Sequence, residues 1–160
     1  MTARLVVSIV KQTLTHYQDT QLICTYQIST GKNGLGEIEH SECTPRGIHR
    51  IHSKIGRWAP ENSVFVARRW TGEIYTLELH RQHPDRDWIL TRILRLAGCE
   101  PGINKGGEVD TLKRYIYIHG TPDSTELGKP GSRGCIRMRN QDLIELFDRV
   151  SLNTTVEIYP

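Results

Sequence analysis

A chain of 160 residues with a net charge of +3, 37% hydrophobic and 24% charged side chains has the size of one domain, 1–160, with its own core, and argues against a disordered or membrane-embedded polypeptide. Its Lys and Arg are scattered, as at Arg68-Arg69 and Arg92/Arg95. No nucleic-acid partner is therefore expected, and an acidic substrate suits the balance better.

The first apolar run, Leu5-Val6-Val7-Ser8-Ile9-Val10, is too short to span a bilayer and lacks the cleavage site of an export signal. No membrane span is expected, and the expected location is the cytoplasm, or the periplasm for a trimmed mature form. Segments 4–10, 21–29, 47–52, 63–69, 89–96, 115–119 and 155–159 are rich in β-branched or aromatic residues and bounded by Gly, Pro, Asn or Asp, which predicts strands. Residues 31–36 and 98–107 read as loops without a phosphate-cradling motif, the second being the candidate lid on composition. A shorter helical or irregular stretch is predicted over 80–88, around the turn His83-Pro84-Asp85. One full helix is predicted from Asn140 as N-cap, with Asp142 in its first turn and Leu143, Ile144, Leu146, Phe147 and Val150 at helical spacing. The sum is a mostly β fold, sandwich- or barrel-like with mixed sheets, and one helix after the Cys135 segment.

Cys24, Cys43, Cys99 and Cys135 form no CxxC pair, so no zinc site or other metal is expected, and no cofactor. With Cys135 a free thiol, at most one disulfide can form. His49 and His52 alternate to opposite strand faces, and His80 and His83 have no partner carboxylate, so neither pair reads as metal-binding. Trp58, Trp70 and Trp88 lie in separate segments and read as core or rim packing. Glu37 and Glu39 are discounted as a glycosidase carboxylate pair.

The chemistry concentrates further on. Alternation in Arg114-Tyr115-Ile116-Tyr117-Ile118-His119 puts Tyr115, Tyr117 and His119 on one face, with His119 at the strand end. A polar, turn-rich run, 121–131, then returns the chain to Ser132-Arg133-Gly134-Cys135. A cysteine attacks a carbonyl as its thiolate and needs a base nearby and donors for the oxyanion. His119 supplies the first, and the amides of Gly134 and Cys135 are candidates for the second. A lone Cys at a Gly-Cys-Ile step is equally a small buried hydrophobe, so the residues by themselves leave both readings open.

The stretch His119-Gly120 followed by Ser132-Arg133-Gly134-Cys135-Ile136-Arg137-Met138 resembles the signature of the L,D-transpeptidase (YkuD-like) catalytic domain. Ser29-Thr30-Gly31-Lys32 and Thr44-Pro45-Arg46-Gly47 resemble its upstream turns. The resemblance implies a β-rich domain that performs cysteine acyl transfer on peptidoglycan tetrapeptide stems or muropeptides. Cys135 is then the nucleophile, His119 the base, and the Gly120 carbonyl the group that orients the imidazole. Arg137, Ser132 and His49 are expected at the substrate. Arg133 departs from the pattern, which has His there; a guanidinium cannot shuttle a proton, and it is expected to lower the Cys135 pKa or grip a substrate carboxylate. Expulsion of the terminal D-Ala leaves a thioester. Hydrolysis to the tripeptide, an L,D-carboxypeptidase reaction of murein recycling, is the expected outcome because no leader or wall-binding module is seen. Formation of 3-3 cross-links, D-amino-acid exchange, and a degenerate muropeptide-binding domain are the alternatives. Carbapenem-type β-lactams are expected as inhibitors.

Overall fold

A computed structural model describes residues 2–160. The strands are β1 (Ala3–Ser8), β2 (Thr13–Gln18), β3 (Gln21–Ser29), β4 (Gly47–Ile55), β5 (Ser63–Val66), β6 (Arg69–Ile74), β7 (Ile89–Gly98), β8 (Tyr117–Gly120), β9 (Ile136–Met138) and β10 (Thr155–Tyr159), with helices α1 (Leu77–Gln82) and α2 (Asn140–Arg149). They form one sheet in the order β4-β10-β1-β2-β3-β9-β8-β7-β5-β6, and β4 also pairs with β7. That extra pairing closes all but β5 and β6 into a barrel-like ring. Two pairings are parallel, β1 with β10 and β8 with β9.

Period-two alternation sorts the side chains. Leu94, Leu96, Ile118, Ile136 and Met138 face the main core, where Leu143, Leu146, Phe147 and Val150 of the α2 stripe meet them. The opposite face of the same strands carries Ile93 and Tyr117, packed with Phe65 and against Cys135. One face thus provides the apolar burial that drives folding, and the other is available for a site.

Several local expectations need correction. Strands β2 and β6 were not predicted, nor was the short β9. Tyr115 lies outside β8, at φ 56°. The short helix begins before the predicted stretch because Thr76 caps it, its hydroxyl accepting from the Leu79 N–H at 3.0 Å. The N-cap of helix α2 is Arg139, not Asn140, and it makes no side-chain capping bond. Asn140 is instead a buried brace: its amide donates to Asn62 Oδ1 at 2.9 Å and the Thr121 carbonyl at 3.1 Å and accepts from Thr91 at 2.7 Å. Loop 98–107 is no lid. The buried Asn104 straps it to the start of β4 by donating to the Ile48 carbonyl at 3.1 Å and to the carbonyl of Arg46, just before the strand, at 3.0 Å. Trp88 is core, as expected, but Trp58 is 86% exposed and beside Trp70 lines a separate shallow groove. All four cysteines are free thiols, and no described helix is long and apolar enough to cross a membrane.

Candidate active site

In the parallel β8–β9 pair His119 is registered opposite Arg137. Cys135 lies two residues before Arg137, so it shares a sheet face with His119 as a diagonal neighbour. His119 is 1% exposed. Its Nδ1 is 2.7 Å from the Gly120 carbonyl, an oxygen that can only accept, which fixes the proton on Nδ1. Its Nε2 is buried without a hydrogen-bond partner and so presents a bare lone pair. Gly120 must be glycine at this point, since a Cβ would come within 2.2 Å of Asn140 Oδ1 and 2.5 Å of the Leu90 carbonyl.

The Cys135 thiol rests between two backbone groups of the preceding segment. Its sulfur accepts the Tyr117 N–H at 3.2 Å and donates toward the Tyr115 carbonyl at 3.4 Å. Burial pushes the Cys135 thiol up to about 12; the Tyr117 amide partly opposes this and Asp87 adds to it. Burial also holds His119 below the usual histidine value, with Asp87 opposing. The resting pair is therefore neutral thiol and neutral imidazole.

The loop that carries Cys135 is built by the two upstream turns. Gly31 bridges to Ser132, and the Gly131 and Ser132 amides both donate to the Thr30 carbonyl at 2.9 Å. Thr30 is in turn held by Gln12, whose side chain exchanges hydrogen bonds with it at 2.7 and 2.9 Å. Thr44 Oγ1 accepts from the Gly31 N–H and donates to the Gly134 carbonyl, each at 2.8 Å. Gly134 sits at φ 123°, and a Cβ there would meet the Cys43 carbonyl at 3.0 Å. Only glycine suits that conformation and approach.

Ser132 braces the same loop. Its hydroxyl accepts from the Gly134 N–H at 3.1 Å and donates to the Cys135 carbonyl. At 3% exposure it is sealed from the cleft, which corrects its expected place at the substrate. The Gly134 amide is likewise spent on Ser132 in the resting geometry. His49 also needs correction: it is fully buried, with Nε2 2.9 Å from Thr111 Oγ1 and Nδ1 3.1 Å from the Gly47 carbonyl, and lines no part of the cleft.

Beside Cys135 opens a cleft of about 530 Å³ lined by Arg68, Asp87, Arg114, Tyr115, Tyr117 and Arg133, among others. Arg133 is exposed, its guanidinium donating to the Asp85 carbonyl at 3.2 Å. Arg137 donates to the Gly131 carbonyl at 3.1 Å and meets Asp87 at 3.4 Å. A second, polar hollow of about 180 Å³ holds Thr121, Ser124, Thr125 and Arg137 and shares Asp87 and Arg133 with the first. Sequence reasoning missed Asp87 and Arg68, which belong to no local motif, put Tyr115 within the His119 strand rather than before it, and mistook the signal of Asn140, a capping residue type used as a buried brace.

A thiol, an imidazole oriented by a backbone carbonyl and a cleft open to solvent define the class of cysteine acyl-transfer enzymes. Residues 2–158 match the family model of the YkuD L,D-transpeptidase catalytic domain; the chain belongs to that family, whose members are cysteine-dependent enzymes. It is 47% identical over 123 residues to the probable L,D-transpeptidase ErfK/SrfK of Escherichia coli, covering 73% of this chain and 36% of that protein. The fold is shared with L,D-transpeptidase 3 from Mycobacterium tuberculosis, solved in complex with a faropenem-derived adduct, at a TM-score of 0.61, 18% identity, and coverage of 99% of this chain and 60% of that one. It is shared too with the L,D-transpeptidase LdtMt1 in complex with imipenem, at a TM-score of 0.58, 18% identity, and coverage of 98% and 58%. The chain spans between 28% and 37% of the length of the curated relatives it matches.

Proposed function

We propose that Cys135 attacks the carbonyl of the third residue of a peptidoglycan tetrapeptide stem and expels the terminal D-Ala through a thioester. The observation that carries this reading is the His119–Gly120 hydrogen bond, which leaves an unprotonated, unpartnered Nε2 on the face that holds the sulfur. In the first step a rotation of the Cys135 side chain brings Sγ–H from the Tyr115 carbonyl to Nε2, which takes the proton as sulfur bonds to carbon. The imidazolium then returns that proton to the departing D-Ala nitrogen as the C–N bond breaks. The Cys135 amide is a donor for the developing oxyanion; the Gly134 amide joins it only by leaving Ser132.

The acceptor decides the product. The hollow beyond Arg133 and Asp87 adjoins the cleft, which favours a second stem held there, its amine attacking the thioester, over water. On this ground we read the chain as a transpeptidase, in place of the hydrolysis to the tripeptide expected from the sequence, which stays the competing outcome. Incubation with a disaccharide tetrapeptide, with and without a free D-amino acid, followed by mass spectrometry beside Cys135→Ala, tests the assignment. A 3-3 linked dimer or exchanged stem supports transfer. Tripeptide alone assigns hydrolysis, and no product from the wild type removes the enzymatic reading.

A further inference from the structure

The β5–β6 hairpin turns through Ala67 and Arg68, with Val66 paired to Arg69. Both central residues have left-handed backbones, φ 48° and 66°, in a turn that Asn and Gly normally make. Tyr115, across the cleft mouth, has a third such backbone at φ 56°. Left-handed non-glycine backbones occur at eleven described positions, and three of them, Ala67, Arg68 and Tyr115, border this one cleft; at a cleft such backbones point to a use for the side chains they aim.

What they aim is the Arg68 guanidinium. It donates to Tyr117 Oη at 3.0 Å and stacks over the Tyr115 ring at 4.4 Å, with Arg95 at 5.3 Å from the same ring. Tyr115 and Tyr117 are also the residues whose backbone holds the Cys135 sulfur, so Arg68 is fixed to the nucleophile's own scaffold. Arg68 makes no ion pair with a carboxylate among the described residues. Of the other charges on this cleft, Arg114 is committed to the Gly36 and Cys43 carbonyls at 3.2 and 2.6 Å, and Asp87 is paired with Arg137. That leaves the forks of Arg68 and Arg133 with donors for a ligand.

We infer that Arg68 is a specificity-determining residue that reads a carboxylate of the stem peptide, with Arg133 as a second cation. This rests on the acyl-transfer reading and deepens it. A guanidinium held by stacking and one hydrogen bond keeps donors for a planar, bidentate anion and loses little freedom on binding, whereas a neutral amide at the same place offers one acceptor and no charge. Two stem carboxylates lie near the scissile bond: that on the side chain of the third residue, and the terminal one of the leaving D-Ala.

The experiment compares three tetrapeptides, one with both carboxylates free, one amidated on the third side chain and one amidated at the terminus. Release of the terminal residue is measured for wild type, Arg68→Gln and Arg68→Lys, with affinity for each peptide measured on Cys135→Ala and on Cys135→Ala/Arg68→Gln. Wild type should lose about tenfold or more in kcat/KM on one amidated peptide, mainly through KM, and which one identifies the carboxylate. Arg68→Gln should erase that preference by weakening only the favoured peptides, and Arg68→Lys, which keeps charge without the fork, should fall between. Equal turnover of all three peptides by wild type, or an equal loss on all three in both variants, overturns the proposal. Absence of any turnover removes the acyl-transfer reading, and binding to the Cys135→Ala proteins then decides: discrimination that vanishes with Arg68→Gln upholds the subsite, and equal affinities overturn it.

Discussion

Thr44 and Gly134 are joined by a hydrogen bond of 2.8 Å through which the Thr44 hydroxyl, itself accepting from Gly31, holds the carbonyl just before Cys135. The nucleophile loop is therefore shaped by a turn far upstream in the chain. Thr44→Val keeps the volume and strands both the Gly31 N–H and the Gly134 carbonyl, so it should cost about 2–3 kcal/mol in urea unfolding. It should slow acylation of Cys135 by about tenfold or more through misplacement of the loop. Thr44→Ser, which keeps the hydroxyl, should restore most of both.

The neutral resting pair sets the pH dependence. His119 must be neutral to accept the thiol proton, and burial keeps its pKa below the usual 6.5, so kcat/KM should fall only on the acid side of that value. The thiol, at about 12, places the alkaline limb far away. A flat profile from about pH 7 to about pH 10 is expected. Alkylation of Cys135 by iodoacetamide should instead rise about tenfold per pH unit over that range. A rate of alkylation already saturated near neutrality would show a preformed thiolate–imidazolium pair.

His49 belongs to stability. Burial lowers its pKa from 6.5 to about 4, so the fold holds the neutral ring while the unfolded chain protonates first. Its contribution is complete above about pH 6.5 and is lost as pH falls from there toward the folded value near 4, a change of about 3 kcal/mol. His16, buried with both ring nitrogens unpartnered and shifted the same way, adds in the same direction. Urea midpoints at neutral and mildly acid pH should converge between wild type and His49→Gln as the pH drops; parallel curves would clear His49.

A carbapenem should acylate Cys135 alone. Intact-mass measurement is expected to show one adduct on the wild type and none on Cys135→Ala, and peptide mapping should leave Cys24, Cys43 and Cys99 unmodified. An adduct on any of those three would move the nucleophile elsewhere.

The main strands were readable because their inward residues are aliphatic and alternate, as in Thr155–Tyr159, where Val156 and Ile158 are buried and the expected and observed bounds coincide. Strand β2 was not, since it buries Leu14 and the polar His16 and so shows no apolar period. Strand β6 is an exposed edge with Gly72 at its middle, and pairing alone defines it. The thiol, the imidazole and the Gly120 carbonyl lie within residues 119–135 and carry the family signature, so they could be named from sequence. The meeting of Arg68 with Tyr115, and of Asp87 with Arg137, could not, because cation stacking and an ion pair join segments remote in sequence. Ser132 and Asn140 were legible as polar residues near the site, but burial turned both from contact or cap into internal braces.

The barrel-like ring includes every strand that holds Cys135 and His119 and leaves the β5–β6 hairpin outside it. Cys135 and His119 thus belong to the closed ring, and the Arg68 cation to the hairpin beside it. A change of sequence within the ring disturbs the closure on which the nucleophile's position depends, whereas the hairpin is an appendage with one free edge. What joins the hairpin's turn to the acylating apparatus is the Arg68 guanidinium on Tyr115 and Tyr117, so a change at that turn reaches the sulfur's backbone partners through one side chain and not through the closure of the ring.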